Sequence, residues 1–353
     1  MQIRLRVPAI GEVCRIEYMN RSELTIVIPT YNRESRLINI LGGLFREPEI
    51  QDVHIVILDN CSDYDVHASI HKAFGEQLLN TEIITHPFNV GMAINIASPF
   101  LYCKTKWLWI LGDDDEVMPD CLKNILSDIV RYPSYGYIKY EFVNPDLRFL
   151  PVSEPLDINS IDEYLDFYLS GKHSTGNMVF LSNNLYNLEI LKPYLSYALV
   201  WSYTYIGHIM PVIFALCDKA LKCRYLPFQL VKFHMADQSE TWDHTTVLLG
   251  LATINDIRLD ISDQNREKLS RIISKLFTHD GIAISLLKLK SGNRRLYFYD
   301  RIYKSLFKYN SFWSRIDYLK FHLNHYFNLN LFLIKFNIIQ GLKRKLRKKF
   351  PVR

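Results

Sequence analysis

The sequence predicts an α/β fold in which a mainly parallel sheet is flanked by helices and followed by a C-terminal α-helical region. Between residues 24 and 130, apolar strand-like runs alternate four times with segments of helical periodicity. This alternation is typical of a parallel sheet wound with helices. From residue 241 onward the periodicity is helical. We expect an N-terminal extension at 1–20, the α/β domain at 21–240, a helical region at 241–342 and a basic tail at 343–353.

The first predicted strand, Leu24–Thr30, is a continuous run of mostly apolar and β-branched residues, as expected for a strand buried on both faces. Polar residues follow this strand, and polar clusters also follow the second and fourth predicted strands. Because ligands bind such sheets at the carboxyl ends of the strands, we expect these clusters to meet in one crevice. The other strands are predicted at 53–58, 81–85 and 106–111, and the helices at 34–46, 66–79, 92–103 and 119–130.

Beyond residue 136 the pattern is less regular. Three further strands are predicted at 137–143, 177–181 and 223–233. In the helical region, helices are predicted at 245–259, 264–290 and 294–309, with a last one from residue 312.

The charge distribution restricts the class of partner. The net charge is +5 at pH 7, but residues 343–353 hold seven Lys or Arg and no acid, so the rest of the chain is close to neutral. A near-neutral body argues against a nucleic-acid enzyme with a basic groove, and the basic tail favours an anionic surface. The six cysteines form no CxxC pair, which suits a reducing cytosol. The N-terminus lacks the apolar segment of a signal peptide, and no run of about eighteen apolar residues occurs, so we expect neither a leader nor a spanning helix.

Three consecutive aspartates, Asp113, Asp114 and Asp115, follow the fourth predicted strand. Adjacent carboxylates repel one another, and keeping them ionised is costly unless a cation neutralises them. One or two carboxylates, completed by phosphate oxygens, are the usual ligands of Mg2+ or Mn2+ beside a nucleotide. The alternatives are a solvated acidic turn and capping of the helix that follows.

A second polar cluster begins with Asp59 and Asn60, after the second predicted strand. A carboxylate at this position can accept hydrogen bonds from a base N–H or from a ribose hydroxyl. The alternative is an Asx turn that closes the strand.

Four elements of the sequence resemble those of the family 2 glycosyltransferases. They are LTIVIPTYNR at 24–33, DNCS at 59–62, NVG at 89–91 and WLWILGDDD at 107–115. These are similar to the opening strand, the Asp-Asn-x-Ser element, the Asn-x-Gly element and the DxD-bearing strand of that family, in the same order. The resemblance implies a Rossmann-like GT-A fold and a hexosyltransferase-type enzyme that uses a nucleotide-sugar donor, expected to be a UDP-sugar.

The resemblance also implies roles for the residues at these positions. Asp59 is expected near the nucleobase and Thr30 in the nucleotide pocket. Asp115 is expected to bind Mn2+ or Mg2+, and Asp113 to support the ribose or the metal. His234 is expected to contact metal or phosphate, with a histidine that merely ends a strand as the alternative. The residues expected to bind the nucleotide sugar are Pro29, Thr30, Tyr31, Asn32, Arg33, Asp59, Asn60, Asn89, Gly91, Asp113 and Asp114.

The catalytic base is less well defined. Members of the family typically invert the anomeric centre in one displacement, and the attacking hydroxyl then needs a general base. This base is commonly an acid after the acceptor-side strands, but residues 195–216 contain no Asp or Glu. His208 is the ordinary titratable base in that stretch and is therefore the predicted base, with a packed core histidine as the alternative. Glu141, Asp237 and Glu240 are further candidates.

The expected setting is the cytoplasmic face of a bacterial membrane. The resemblance implies transfer to a hydroxyl of a growing glycan or lipid-linked oligosaccharide, in the synthesis of a surface polysaccharide such as capsule or O-antigen. Aromatic residues at 313–336 lie among basic residues and precede the basic tail, which suits peripheral binding to an anionic membrane surface. The alternative is a helical bundle packed on the catalytic domain, with a solvated tail. A nucleic-acid partner is not expected.

Two other functions remain open from sequence. A sugar-phosphate nucleotidyltransferase also combines an α/β sheet with a carboxylate-bound metal, but it usually has a Gly-rich basic loop after the first strand, which this chain lacks. A catalytically weak nucleotide-binding scaffold of a glycan-assembly complex is favoured by the missing acid in residues 195–216.

Overall fold

A central eight-stranded sheet organises the residues that the computed structural model describes, namely 23–78, 80–141, 153–170, 175–232, 244–276 and 301. The strands of this sheet and of a small second one are, in chain order, β1 (Leu24–Thr30), β2 (His54–Asp59), β3 (Thr81–Thr85), β4 (Trp107–Ile110), β5 (Glu116–Val117), β6 (Tyr137–Tyr140), β7 (Leu156–Ile158), β8 (Asn184–Asn187), β9 (Cys223–Leu226) and β10 (Val231–Lys232). The large sheet has the order β3-β2-β1-β4-β8-β6-β9-β7, and β5 pairs with β10.

Helices cover the sheet. The α-helices within the described residues are α1 (Glu34–Leu44), α2 (Val66–Phe74), α3 (Met92–Ala97), α4 (Pro99–Tyr102), α5 (Cys121–Arg131), α6 (Ile161–Leu169), α7 (Thr175–Val179), α8 (Leu188–Leu191), α9 (Ser196–Val200), α10 (Met210–Cys217), α11 (His244–Ala252) and α12 (Asp263–Leu276). Short 3-10 turns occur at Pro48–Asp52, Gly75–Leu78, Lys192–Tyr194, Ser202–Thr204, Gly207–Ile209 and Thr253–Asp256.

The central strand β1 is buried along its whole length because both of its faces pack against helices. Leu24, Ile26 and Ile28 belong to one hydrophobic core, shared with α1, α2 and α5, and Val27 belongs to the core on the other face. Side chains alternate across a strand, so a strand covered on both sides reads as a continuous apolar run. The strand predicted at 24–30 is thereby confirmed.

The sheet is mainly parallel, as predicted. Strands β3, β2, β1 and β4 run parallel to one another, and β6 is parallel to β9. Strand β8 is antiparallel to both β4 and β6, and β7 is antiparallel to β9. The parallel half therefore places the carboxyl ends of β1, β2 and β4 at one edge.

The strand predicted at 177–181 is wrong. Residues Thr175–Val179 form a helix, and the strand that enters the sheet is Asn184–Asn187. Ser182 and Asn183 precede this strand, and Asn184 is its first residue. Such a run of polar residues is not the pattern that predicts a buried strand. It is buried because its side chains have hydrogen-bond partners inside the protein.

Two other predicted elements are divided. The helix predicted at 92–103 breaks into α3 and α4 at Pro99, which has no N–H to continue the first helix. The strand predicted at 223–233 divides into β9 and β10, which belong to different sheets.

Helices α11 and α12 pack into the same hydrophobic core as residues of the sheet. Lys268 of α12 also forms ion pairs with Asp162 and Asp166 of α6, at 2.6 and 2.7 Å. The domain boundary predicted at 240 is not tested by this packing and stays a prediction.

Several predicted segments lie outside the described residues: the extension at 1–20, the helix from 312, the basic tail and all but Arg301 of the helix at 294–309. Within the described part, no helix is both long and apolar enough to cross a membrane.

Gly207 lies where an added side chain has no room, and this gives a test of the packing. A Cβ at this position would lie 2.5 Å from the carbonyl oxygen of Ala198 and 3.0 Å from the Cα of Ser202. We expect Gly207→Ala to lower the free energy of unfolding by about 1–3 kcal/mol, as overpacking does. The measurement is urea-induced unfolding.

Gly42→Ala in α1 is the matched control, because its added Cβ would meet nothing nearer than 3.9 Å. Its helix propensity predicts a gain of up to about 1 kcal/mol. A Gly207→Ala protein as stable as the Gly42→Ala protein would contradict the close packing.

Candidate functional site

The carboxyl ends of three parallel strands bring distant polar residues together. Thr30, the last residue of β1, lies opposite Asp59, the last residue of β2, in the parallel register. The Thr30 hydroxyl also donates a hydrogen bond to Asp113 Oδ2 at 2.7 Å, beyond the end of β4. Thr30, Asp59 and the acid triplet therefore lie together at the edge where the sequence predicts a crevice.

Two of the three acids have a cationic partner. Arg33 Nη1 donates to Asp113 Oδ1 at 2.7 Å and to Asp114 Oδ2 at 3.3 Å, and Arg36 lies 4.0 Å from Asp114. Burial raises the pKa of the Asp113 carboxyl, and the Arg33 guanidinium opposes this rise. Arg33 thus neutralises part of the negative charge of the crevice.

Asp115 differs from its neighbours because it has no ion-pair partner within the described residues. The Ser182 hydroxyl donates to its Oδ2 at 2.5 Å. Burial, together with the neighbouring Asp114, raises the pKa of Asp115 to about 8. A cation bound next to this carboxyl would favour its ionised form.

The carboxylates at this edge fit a divalent cation that takes its remaining ligands from a bound phosphate group. No group of three or more His, Cys, Asp or Glu side chains able to hold a metal ion occurs among the described residues. Asp115, with Asp113 beside it, offers the one or two carboxylates that Mg2+ uses when phosphates complete its shell. His234, predicted as a further metal or phosphate contact, lies outside the described residues.

Asp59 is buried at the end of β2, and its Oδ1 accepts the Ser62 N–H at 3.0 Å. Tyr64 lies close to Asp59, and its hydroxyl is buried without a hydrogen-bond partner in the described part of the chain. Burial and the charges of Asp59, Glu34 and Asp113 raise the pKa of Tyr64 to about 12. Sequence reasoning did not identify Tyr64, because a single tyrosine in a loop gives no pattern.

Asn32 joins the loop after β1 to the loop after β2. Its N–H donates to Ser62 Oγ at 2.9 Å, and its side chain exchanges two hydrogen bonds with Asp63, each of 2.7 Å. Asn32 also has a positive φ of 54°, which asparagine tolerates better than most residues. Tyr31 beside it is 39% exposed, whereas Pro29 is buried within β1. Their roles in ligand binding stay predictions.

Asn60 and Asn89 hold the loop after β3 against the end of β2. Asn60 Nδ2 donates to Asn89 Oδ1 at 2.9 Å, and Asn60 Oδ1 accepts the Val90 N–H at 2.8 Å. Asn89 Oδ1 also accepts the Gly91 N–H at 2.8 Å, and Gly91 has a φ of 83° that a side chain would strain. These amides position the wall of the crevice.

His208, the predicted catalytic base, is enclosed by the protein, with 2% of its surface exposed. Burial and the nearby Lys139 side chain lower its pKa to about 3, and neither ring nitrogen has a hydrogen-bond partner within the described residues. A general base works best when its pKa lies near the operating pH. This environment favours the packed-core alternative for His208.

Among the other candidate bases, Glu141 lies at the end of β6. Its Oε1 accepts hydrogen bonds from the Tyr225 hydroxyl at 3.1 Å and from Asn177 Nδ2 at 3.3 Å. Asp237 and Glu240 lie outside the described residues. Of Glu141, Asp237 and Glu240, Glu141 is thus the candidate whose contacts can be given.

A polar segment that the sequence analysis did not single out, residues 182–184, contacts the acid triplet through Ser182. Ser182 contacts Asp115, and its carbonyl oxygen accepts the indole N–H of Trp109 at 2.7 Å. The next two side chains, Asn183 and Asn184, accept hydrogen bonds from the buried Lys139 ammonium at 2.9 and 2.6 Å. In the sequence, the feature that could have indicated this segment is the run of three polar residues between two apolar stretches.

Comparisons with known proteins identify similar sequences and similar folds. Residues 25–180 match the model of the family described as glycosyl transferase family 2. An uncharacterized glycosyltransferase of Haemophilus influenzae is 27% identical over 142 residues, which are 39% of this chain and 46% of that protein. The chain thus spans less than half the length of this curated relative.

Solved structures resemble the fold. A crystal structure of S. aureus TarS 1-349 has a TM-score of 0.55 and 13% identity, covering 80% of this chain and 81% of that chain. A second crystal structure of TarS 1-349, in complex with UDP-GlcNAc, has a TM-score of 0.55 and 14% identity, with the same coverage. At these identities the likeness concerns the fold alone.

The buried ring of His208 predicts a pH dependence of stability. Its pKa is about 3 in the folded protein and about 6.5 in an unfolded chain. As the pH falls, the unfolded chain takes up the proton first, so stability is greatest above about pH 6.5 and is lost toward pH 3.

We expect His208→Gln to reduce the slope of the unfolding free energy against pH, between about pH 5 and 6.5, by up to about 1.4 kcal/mol per unit. Urea unfolding at several pH values measures both slopes. Equal slopes in the two proteins would show that the ring is not held in its neutral form.

Proposed function

We propose that this chain, whose residues 25–180 match the model of glycosyl transferase family 2 and whose fold resembles that of S. aureus TarS, transfers a sugar from a nucleotide-sugar donor to an acceptor hydroxyl. The observation that carries this proposal is the convergence of Thr30, Asp59 and the acid triplet at one edge of the parallel sheet. In such sheets this edge is the ligand site. Asp115, buried without an ion-pair partner in the described part, adds a place for a cation.

Asp59 suits recognition of the nucleoside. An ionised carboxylate only accepts hydrogen bonds, so it pairs with a base N–H or with ribose hydroxyls. Its position, fixed by the Ser62 N–H at the end of β2, supports a nucleoside bound between β1 and β2. A UDP-sugar is the donor to test first, because uracil offers an N–H and the S. aureus protein of similar fold was crystallised with UDP-GlcNAc.

The acid triplet suits a divalent cation that also binds the diphosphate of the donor. We propose that Asp115, with Asp113 as support, holds Mn2+ or Mg2+ against the donor phosphates. When bound, such a cation stabilises the negative charge that builds on the leaving diphosphate. Arg33 pairs with Asp113 and Asp114, which leaves Asp115 as the acid of the triplet without an ion-pair partner in the described part.

The proposed reaction is one inverting displacement at the anomeric carbon. The acceptor oxygen forms the new bond as the bond to the diphosphate breaks, and the hydroxyl proton passes to a base. The low pKa of His208 disfavours it as this base, and Glu141 is the carboxylate whose surroundings are described. The proposed acceptor is a growing glycan or lipid-linked oligosaccharide in bacterial surface polysaccharide synthesis.

A nucleotide-binding scaffold without turnover is the second candidate. It is favoured by the absence of Asp and Glu from residues 195–216 and by the enclosed position of His208. The two candidates differ in turnover and share donor binding.

Thermal unfolding with UDP, GDP and dTDP, each with and without Mn2+, tests donor binding. We expect a Mn2+-dependent rise in Tm with UDP, since a ligand at 100 times its Kd stabilises the folded state by about 2.7 kcal/mol. Asp115→Asn should remove the Mn2+-dependent part and abolish metal-dependent transfer, because the amide lacks the negative charge.

The matched control is Asp218→Asn, which changes an acid that accepts a hydrogen bond from Tyr194 outside the crevice. It should behave like the parent. No shift with any nucleotide would contradict the donor proposal. Binding without turnover across many acceptors would favour the scaffold.

We also propose peripheral binding to an anionic membrane through residues 343–353. These residues carry seven Lys or Arg, each contributing roughly 1 kcal/mol near an anionic surface at low salt. In liposome flotation, the full chain should float with anionic vesicles and less with neutral ones, and a chain ending at residue 342 should lose this preference. Equal flotation of the two chains would remove the role of the tail.

A further inference from the structure

Ser182 connects the acid triplet to the interior of the sheet. The Gly112 N–H donates to Ser182 Oγ at 2.8 Å, and Ser182 Oγ lies 2.5 Å from Asp115 Oδ2. A serine hydroxyl has one hydrogen and two lone pairs. One lone pair accepts the amide proton, and an ionised carboxylate can only accept, so the hydroxyl hydrogen is directed to Asp115 when its carboxyl group is ionised. The hydrogen bonds therefore run in one direction, from Gly112 through Ser182 to Asp115.

Side-chain oxygen atoms of Asp114, Asp115 and Ser182 lie close to Gly112. A Cβ added at Gly112 would lie 3.1 Å from Asp114 Oδ1, 3.2 Å from Asp115 Oδ2 and 3.2 Å from Ser182 Oγ. Contacts this short require the neighbouring atoms to move. A side chain at Gly112 would therefore displace these oxygens by a few tenths of an ångström.

The backbone of Ser182 is fixed on its other side. Its carbonyl oxygen accepts the indole N–H of the fully buried Trp109 at 2.7 Å. The following Asn183 accepts a hydrogen bond from the Lys139 ammonium and donates to the Tyr140 carbonyl oxygen at 2.8 Å. These contacts hold the backbone of Ser182, and the hydrogen bonds of its hydroxyl with Gly112 and Asp115 hold the side chain.

We propose that Ser182 is a positioning residue that holds Oδ2 of Asp115, so that Oδ1 is presented to a divalent cation bound with a nucleoside diphosphate. This inference rests on the proposed donor site and names a residue that sets its metal affinity. Partners that orient a metal-binding carboxylate typically change metal affinity by about 10- to 100-fold when they are removed. Metal-free binding of the nucleoside depends on other residues, chiefly Asp59.

The test is titration of the full chain with Mn2+ in the presence of UDP, followed by the Mn2+ electron paramagnetic resonance signal, beside calorimetric titration with UDP alone. We expect Ser182→Ala to weaken Mn2+ binding by about 10- to 100-fold while the Kd for UDP alone stays unchanged. Ser182→Thr, which keeps the hydroxyl, should retain most of the affinity. Ser182→Cys fills the same space with a weak donor and gives a second measurement if the alanine variant does not fold.

Ser270→Ala is the matched control, because Ser270 is equally buried but lies on α12. It should bind Mn2+ as the parent does. Unchanged Mn2+ affinity in both Ser182→Ala and Ser182→Cys would overturn the positioning role while leaving the donor site in place. A parent chain that binds neither UDP nor Mn2+ with UDP would instead overturn the proposed function.

Discussion

The burial of negative charge at the carboxyl edge of the sheet is the constraint on which the site depends. An ionised carboxylate in the protein interior is costly unless it is paired or hydrogen-bonded. Each member of the cluster has its own compensation: Thr30 and Arg33 for Asp113, Arg33 for Asp114 and Ser182 for Asp115. These partners come from distant parts of the chain, so the acids can be kept together only where the fold brings these parts into contact.

The sheet makes this contact rigid because both of its faces are covered. Burial of alternate side chains of β1 in two cores fixes the strand ends, and the loops are then joined to one another by amide side chains such as Asn32 and Asn60. Behind the acids, the Lys139 ammonium is held by Asn183 and Asn184. Burial lowers the pKa of Lys139, and the carboxylate of Glu141 opposes this shift. A polar network of this kind specifies one arrangement, because each of its buried groups needs its partner.

The sequence could predict the parts of the site that lie on parallel strands, since apolar runs and their polar ends are local patterns. It could not predict Ser182, whose position depends on an antiparallel pairing of β8 with β4 that no local pattern encodes. The same limit applies to Tyr64 and to the enclosure of His208 beside Lys139, because burial of a single side chain follows from tertiary packing. The misassigned strand at 177–181 has the same origin: three buried polar residues satisfied by long-range hydrogen bonds.

The distribution of charge within the crevice also determines which ligands can enter together. Asp113 and Asp114 are paired with Arg33, but the three acids outnumber this guanidinium, and a nucleoside diphosphate would bring further negative charge close to them. In the proposed site, a divalent cation between Asp115 and the phosphates would reverse this repulsion. Each ligand would then bind more favourably when the other is present, and by linkage the coupling would be the same in both directions. Ser182 would act within this coupling, because a carboxylate whose Oδ2 is already held can present Oδ1 to the cation without first losing rotational freedom.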